Sequence, residues 1–252
     1  MNRRSLLVAA GAVGLTTAVG SAAAALAAGE PEHRQPALLW ELTGGFVPPG
    51  WSALRPPRLA AYDDGVLIAD AARRLQLDAG ELRSLRNHAT AVLRDPANAR
   101  RRPGAPMIAD VPSTVFTARA NGRRFRLQFV GLEETRQDRA YPMPAYSLLD
   151  HAAQLYDRAD RTGSPWRPDA VRLIAVVIDP ATPAGPPPPW PAGVPVPQLR
   201  KDELVAQLDL RDRQARALIH ALPHPDSVQW KVFRTPDGTL MQVNWRYRLP
   251  HE

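Results

Sequence analysis

Cysteine is absent from all 252 residues. That absence excludes disulfides, zinc–thiolate sites, thiol catalysis and a cysteine-linked lipid anchor, so stability must come from packing alone. Lysine is nearly absent too: of the 32 basic residues only Lys201 and Lys231 are lysines. Positive charge here is therefore arginine charge, planar, permanent and suited to carboxylates and phosphates. Sequence signatures of chemistry are missing as well. The chain has no G-x-S-x-G elbow, S-x-x-K, H-E-x-x-H, P-loop or G-x-G-x-x-G fingerprint, which removes the frameworks most readily legible in a sequence. No cofactor and no metal site is expected.

What is present begins with an address. Arg3 and Arg4 are followed by an uncharged stretch from Leu6 to Ala28 that is rich in Ala and Gly. At 1.5 Å per residue such a stretch could cross a bilayer core. Its few large apolar side chains suit export better than retention. Ala25-Leu26-Ala27 fits the A-x-A cleavage pattern, and polar Glu30, Glu32, His33 and Arg34 follow. Residues 1–28 thus read as a signal peptide of twin-arginine type, with general secretion as the alternative. The expected location is extracellular or wall-associated, with membrane contact only through the uncleaved leader. Its removal lowers the formal charge from +7 to +5.

Residues 36–252 read as a single α+β domain. "ALLWELT" (37–43) is a strand, and "RLAAYDDGVLIAD" (58–70) is a hairpin turning at Asp63-Asp64-Gly65. Asp78 and Glu81 form a capping box for a helix with Leu82, Leu85, Ala89 and Val92 on one face, stopped at Asp95-Pro96. "TVFTARANGRRFRLQFV" (114–130) is the clearest hairpin, because Asn121-Gly122 supplies the two positive-φ positions of a type I′ turn. That turn places Ala118 opposite Phe125 and Phe116 opposite Leu127 on a core face. Arg119 then lies opposite Arg124, and Thr117 opposite Arg126, on a basic face.

A second helix spans about 145–161, and "AVRLIAVVI" (170–178) is a strand buried on both faces. Residues 180–197 are half proline and predict an extended loop. As a recognition ligand it would present Trp190; otherwise it is a rigid spacer. "LVAQLDL" (204–210) is a strand, and Ala215, Leu218, Ile219 and Leu222 mark a helix stopped by Pro223. Residues 228–249 form a hairpin turning at Pro236-Asp237-Gly238. Residues 58–131 and 170–249 repeat the order strand, strand, helix, hairpin, which raises an internal ββαββ duplication. The architecture expected is largely antiparallel sheet, in one piece or two, with about three helices on its apolar side.

"GGFVPP" (44–49), "LAAYDDGVLI" (59–68), "DVPSTVFTARANGRRFRLQFVGLE" (110–133) and the final "YRLPHE" resemble a family of exported actinobacterial proteins of unknown function. The resemblance covers most of the mature chain and implies an envelope or extracellular location. It supplies no catalytic residue. Many relatives look like lipoproteins, from which this cysteine-free chain departs.

Candidate chemistry is sparse. His220 and His224 have metal-pair spacing, but Pro223 ends the helix that would align them. Asp63-Asp64 and Glu133-Glu134 are adjacent carboxylates that point apart, and His88 and His151 read as packed structural histidines beside helical stripes. The charge distribution says more. Between Ala97 and Leu132 lie seven arginines (100, 101, 102, 119, 123, 124 and 126) against the single acid Asp110, a net +6. Arg119, Arg124 and Arg126 are the candidate ligand-binding residues, for an anionic envelope polymer or a partner protein and not for a specific nucleic acid. The plain alternative is a solvated face with Glu133, Glu134 or Asp138 as counter-charges. The function expected is a non-catalytic binding module; a secreted hydrolase with a site assembled from scattered residues is the alternative.

Cleavage should leave a mature chain that starts near Ala28 or Gly29, which mass spectrometry of exported material would verify. Exchanging Arg3 and Arg4 for lysine should block export by the twin-arginine route while leaving general secretion almost unchanged.

Overall fold

The apolar run at 37–43 forms a strand, as its sequence predicts. A computed structural model describes residues 34–179, 185–200, 203–223 and 230–252; the leader reading, the start of the Pro-rich loop and His224 lie outside them. Strands β1 (Pro36–Thr43), β2 (Leu59–Tyr62), β3 (Val66–Ala69) and β4 (Arg73–Gln76) precede helix α2 (Ala79–Leu93), and a one-turn helix α1 (Trp51–Leu54) lies between β1 and β2. Strands β5 (Ser113–Ala120) and β6 (Arg123–Val130) follow, then α3 (Met143–Thr162) and the short β7 (Ser164–Pro165). The remainder is β8 (Ala170–Val177), β9 (Val205–Arg211), α4 (Asp212–Ala221), β10 (Lys231–Arg234) and β11 (Leu240–Tyr247).

These strands make two antiparallel sheets, one ordered β6-β5-β1-β2-β3-β4-β7 and the other β10-β11-β8-β9. The α+β class is as the sequence predicts. Four of the described elements were not legible in it: α1, β4, β7 and a 3₁₀ turn at Pro96–Ala99. The β3–β4 turn needs positive φ at Asp70 and Ala71 (46° and 50°), and neither residue type signals that conformation. The repeated element order does not extend to topology. In the larger sheet β1 separates the β2–β3 pair from the β5–β6 hairpin, whereas β8 pairs directly with β11 in the smaller one.

Each helix sits where its apolar stripe predicts. Asp78 caps α2 by accepting from the Glu81 N–H, while Glu81 accepts from the Asp78 N–H, completing the capping box. Leu85 and Ala89 of α2 and Leu148, Leu149 and Ala152 of α3 bury against Leu38, Trp40, Leu59, Leu67, Phe116 and Phe129 of the larger sheet. Tyr156 fastens α3 to the β3–β4 turn by donating to Asp70 Oδ2 at 2.5 Å, with Arg58 stacked 4.1 Å over its ring. In the smaller sheet Val171, Leu173, Val243 and Trp245 pack on Ala215 and Leu218 of α4. The Pro-rich segment lines this sheet's edge: Trp190 N–H donates to the Arg234 carbonyl at 2.7 Å, and the Trp190 ring meets Phe233 edge-on. Trp190 therefore packs against the protein's own core.

The opposite face of the larger sheet carries a separate apolar cluster, Leu39, Ala60, Tyr62, Val66 and Ile68, joined by Leu249 from the end of the chain. A charged knot secures that end. Arg172 and Arg246 face each other across β8 and β11, and Asp209 faces Arg172 across β9. Glu252 closes the row, accepting from Arg246 at 2.5 and 2.6 Å, from Arg172 at 3.2 Å and from the Leu249 N–H at 2.9 Å. Beside it, Tyr62 lies 2.8 Å from His251 Nδ1. Burial and the Glu252 charge hold the Tyr62 proton in place, while burial disfavours the charged form of His251, so the contact joins two neutral groups.

Burial alone would raise the Glu252 carboxyl, but the Arg246 hydrogen bonds and charge, the Leu249 N–H and Arg172 override it and hold it at about 2. A carboxyl depressed in the fold contributes fully above its ordinary 4.5 and loses that contribution as pH falls toward 2. Glu252→Gln should therefore cost about 3 kcal/mol at pH 7 in denaturant titration, and the difference from wild type should shrink steadily below pH 4.5. A deficit independent of pH would disprove this role. Gly122 tests the hairpin separately. It adopts φ of +72° with nothing within 4 Å of an added Cβ, so Gly122→Val should destabilise by about 1–3 kcal/mol through backbone conformation alone. An unchanged melting temperature would contradict the register.

Candidate anion-binding face

The β5–β6 register agrees with the sequence reading pair by pair: Phe116 with Leu127, Thr117 with Arg126, Ala118 with Phe125, Arg119 with Arg124. Asn121 and Gly122 have φ of 51° and 72°, as a type I′ turn requires. Phe116 and Ala118 are fully buried against the helices. Strand parity puts Thr117, Arg119, Arg124 and Arg126 together on the other face. Arg124 and Arg126 are exposed and Arg119 is half-buried.

Among the described residues, none of these three arginine side chains makes a hydrogen bond or ion pair. The counter-charges considered from sequence do not reach them: among the described residues neither Glu133, Glu134 nor Asp138 forms an ion pair with any of the three. Thr117 is 6% exposed, and its hydroxyl has no partner. A buried hydroxyl without a hydrogen bond is unfavourable by about 1–3 kcal/mol. Across from Val115, on this same face, β1 places Glu41. Burial raises the Glu41 carboxyl, and Arg126 and then Arg124 pull it back down. The face is thus arginine around one carboxyl, not uniformly basic. Sequence reasoning missed Glu41 because "ALLWELT" reads as an apolar run, and the two-residue alternation that sets Glu41 apart from Leu38 and Trp40 was its only signal.

The +6 segment, continuous in sequence, is divided in space. Arg100, Arg101 and Arg102 join Arg139 around a depression of about 430 Å³ beside Tyr141. On the helix side of the hairpin tip, Arg83, Arg86 and Arg94 line a groove of about 520 Å³ with Asn87 and Asn121. Arg94 and Arg123 flank the Phe125 ring there, at 5.3 and 5.5 Å.

Other sequence candidates resolve simply. Asp63 pairs with Arg86 and Asp64 with Arg34, so the adjacent carboxylates turn to different partners. His220 lies in the last turn of α4, and no group of three or more His, Cys, Asp or Glu side chains suited to a metal occurs among the described residues. His88 and His151, read separately from the sequence, meet: their Nδ1 atoms are 3.1 Å apart. No described helix is long and apolar enough to cross a membrane.

Comparison with known proteins adds no functional assignment: the chain matches no protein-family model, no curated protein and no solved structure.

Proposed function

We propose that this chain is an exported binding module whose hairpin face, built on Arg119, Arg124 and Arg126, holds an anionic polymer of the cell envelope such as a phosphate-bearing wall glycan. One contrast within the molecule carries the reading. Two pairs of arginines face each other directly across neighbouring strands, Arg172 with Arg246 and Arg119 with Arg124. Like charges so placed repel. The first pair is closed by Asp209 and Glu252. The second has no carboxylate in ion-pair contact among the described residues.

A phosphate group supplies what the second pair lacks. Its oxygens accept two parallel N–H groups from one guanidinium, which suits the exposed Arg124 and Arg126. Exposure of Arg124 and Arg126 suits a long ligand lying across the strands rather than a small one enclosed in a cavity. Glu41 sets the limit: its ionised form competes for the same arginines.

Retention on an immobilised phosphate-bearing polymer should be strong at about 50 mM salt and lost toward 1 M, where the Debye length falls to about 3 Å. Reversing Arg119, Arg124 and Arg126 to glutamate should abolish retention while circular dichroism stays native. Glu41→Gln should shift elution to higher salt. Equal retention of wild type and the triple variant would overturn the proposal, and loss of polymer binding with retained capture of an acidic protein would reassign the face to a protein partner.

A further inference from the structure

Ser147, His88 and His151 stand in a hydrogen-bonded row between α2 and α3. Ser147 Oγ is 3.2 Å from His88 Nε2, and His88 Nδ1 is 3.1 Å from His151 Nδ1. The ring centroids are 5.4 Å apart and the planes differ by 23°. That separation is the sum of the nitrogen contact and the two ring radii, so the nitrogens face each other end to end with no room for a cation between them. Two facing lone pairs would repel, as would two facing protons; the contact therefore holds one N–H.

With that proton on His88 Nδ1, the neutral ring carries its lone pair on Nε2, and the Ser147 hydroxyl donates to it. His151 Nδ1 then accepts from His88 and fixes its tautomer. This is the order of a nucleophile, a base and an orienting group. The opposite tautomer makes Ser147 the acceptor, and the two differ only by a shift of protons within the row.

The row opens on a depression of about 360 Å³ lined also by Met143, Asp150 and Gln154. Met143 is 63% exposed and offers an apolar contact. Asp150, the one carboxylate lining the depression, is held by Arg136 at 2.5 and 3.3 Å and so leaves the orienting place to His151. Burial lowers both histidines, His151 additionally through His88, so the row is uncharged at neutral pH.

We propose that Ser147 is an activated nucleophile that accepts the acyl group of small soluble esters, with His88 as its base and His151 as a positioning residue. Ser147 Oγ bonds to the ester carbonyl carbon as its proton passes to His88 Nε2. Collapse of the tetrahedral adduct breaks the bond to the leaving alcohol, which takes that proton. Water, deprotonated by the same Nε2, then attacks the acyl-serine and releases the carboxylic acid, returning the proton to Ser147. Net, ester and water become acid and alcohol. Backbone N–H groups beyond the first turn of α3 are committed to the helix ladder, so base assistance sets the scale, on the order of 10²–10⁴ in rate. This activity is independent of the arginine face.

The test is labelling of the intact chain with a fluorophosphonate, with peptide mass mapping, alongside hydrolysis of p-nitrophenyl acetate. Phosphonylation should fall on Ser147, vanish in Ser147→Ala and slow at least tenfold in His88→Gln. Its rate should drop as pH falls through the histidine range, and His151→Ala should move that midpoint, which a merely structural residue would not do. A folded wild type that stays unlabelled overturns the proposal, and so does labelling that His88→Gln leaves unchanged. Ester hydrolysis that persists in Ser147→Ala but disappears in His88→Gln would assign turnover to the imidazole and likewise refute the serine role.

Discussion

The pairing of Glu252 with Arg246 is the contact on which the arrangement of the chain's final residues depends. Their side chains are only 11% and 8% exposed. Taking either charge out of water alone is costly by several kcal/mol, so each confines the other. Arg246 is fixed by its place in β11, directly across from Arg172, and Glu252 must therefore come to it. In doing so it brings Leu249 onto Ala60, Tyr62 and Ile68 and sets His251 against the Tyr62 hydroxyl. A smaller-sheet arginine thus decides how the second face of the larger sheet is covered.

Arginine is used in two ways. Arg58, Arg86, Arg136, Arg158, Arg172 and Arg246 each meet a carboxylate; Arg158 ties α3 to α2, Arg86 and Arg136 tie a helix to a turn, and Arg172 and Arg246 close a strand row. Arg119, Arg124 and Arg126 meet none among the described residues, although they occupy the same kind of cross-strand position. Residue type does not distinguish the groups; the company each side chain keeps does. With only two lysines in the chain, this surface recognises through planar, five-donor guanidinium groups, which favour phosphate and carboxylate geometry over simple charge attraction.

His88 and His151 show how a bland reading of single residues turns into chemistry. Each lies beside a helical apolar stripe, where a packed histidine is the ordinary outcome. Packing α2 and α3 on the same sheet face brings them within 3.1 Å across 63 residues of sequence, and Ser147, one turn before His151, completes the row. No motif search finds such a group, because its members share no local spacing.

What the sequence determined by itself was everything that depends on neighbours a few residues away. Asn121-Gly122 dictates a turn with two positive φ angles, and that turn dictates which residues of β5 and β6 face each other. Asp78 and Glu81 set the start of α2, and Asp95-Pro96 its end. Helical and two-residue periodicities located the other long elements and the α+β class. The tertiary structure alone decided that there are two sheets, that β1 lies between β2 and β5, and which arginines receive a carboxylate. Arg172 and Asp209 lie 37 residues apart, Tyr62 and His251 189. Contacts at that range are selected by the burial of whole sheet faces and by the cost of leaving a buried charge or hydroxyl alone. Neither leaves a trace in the spacing of a short segment, which is why Glu41, the Thr117 hydroxyl and the Ser147 row emerged only from the fold.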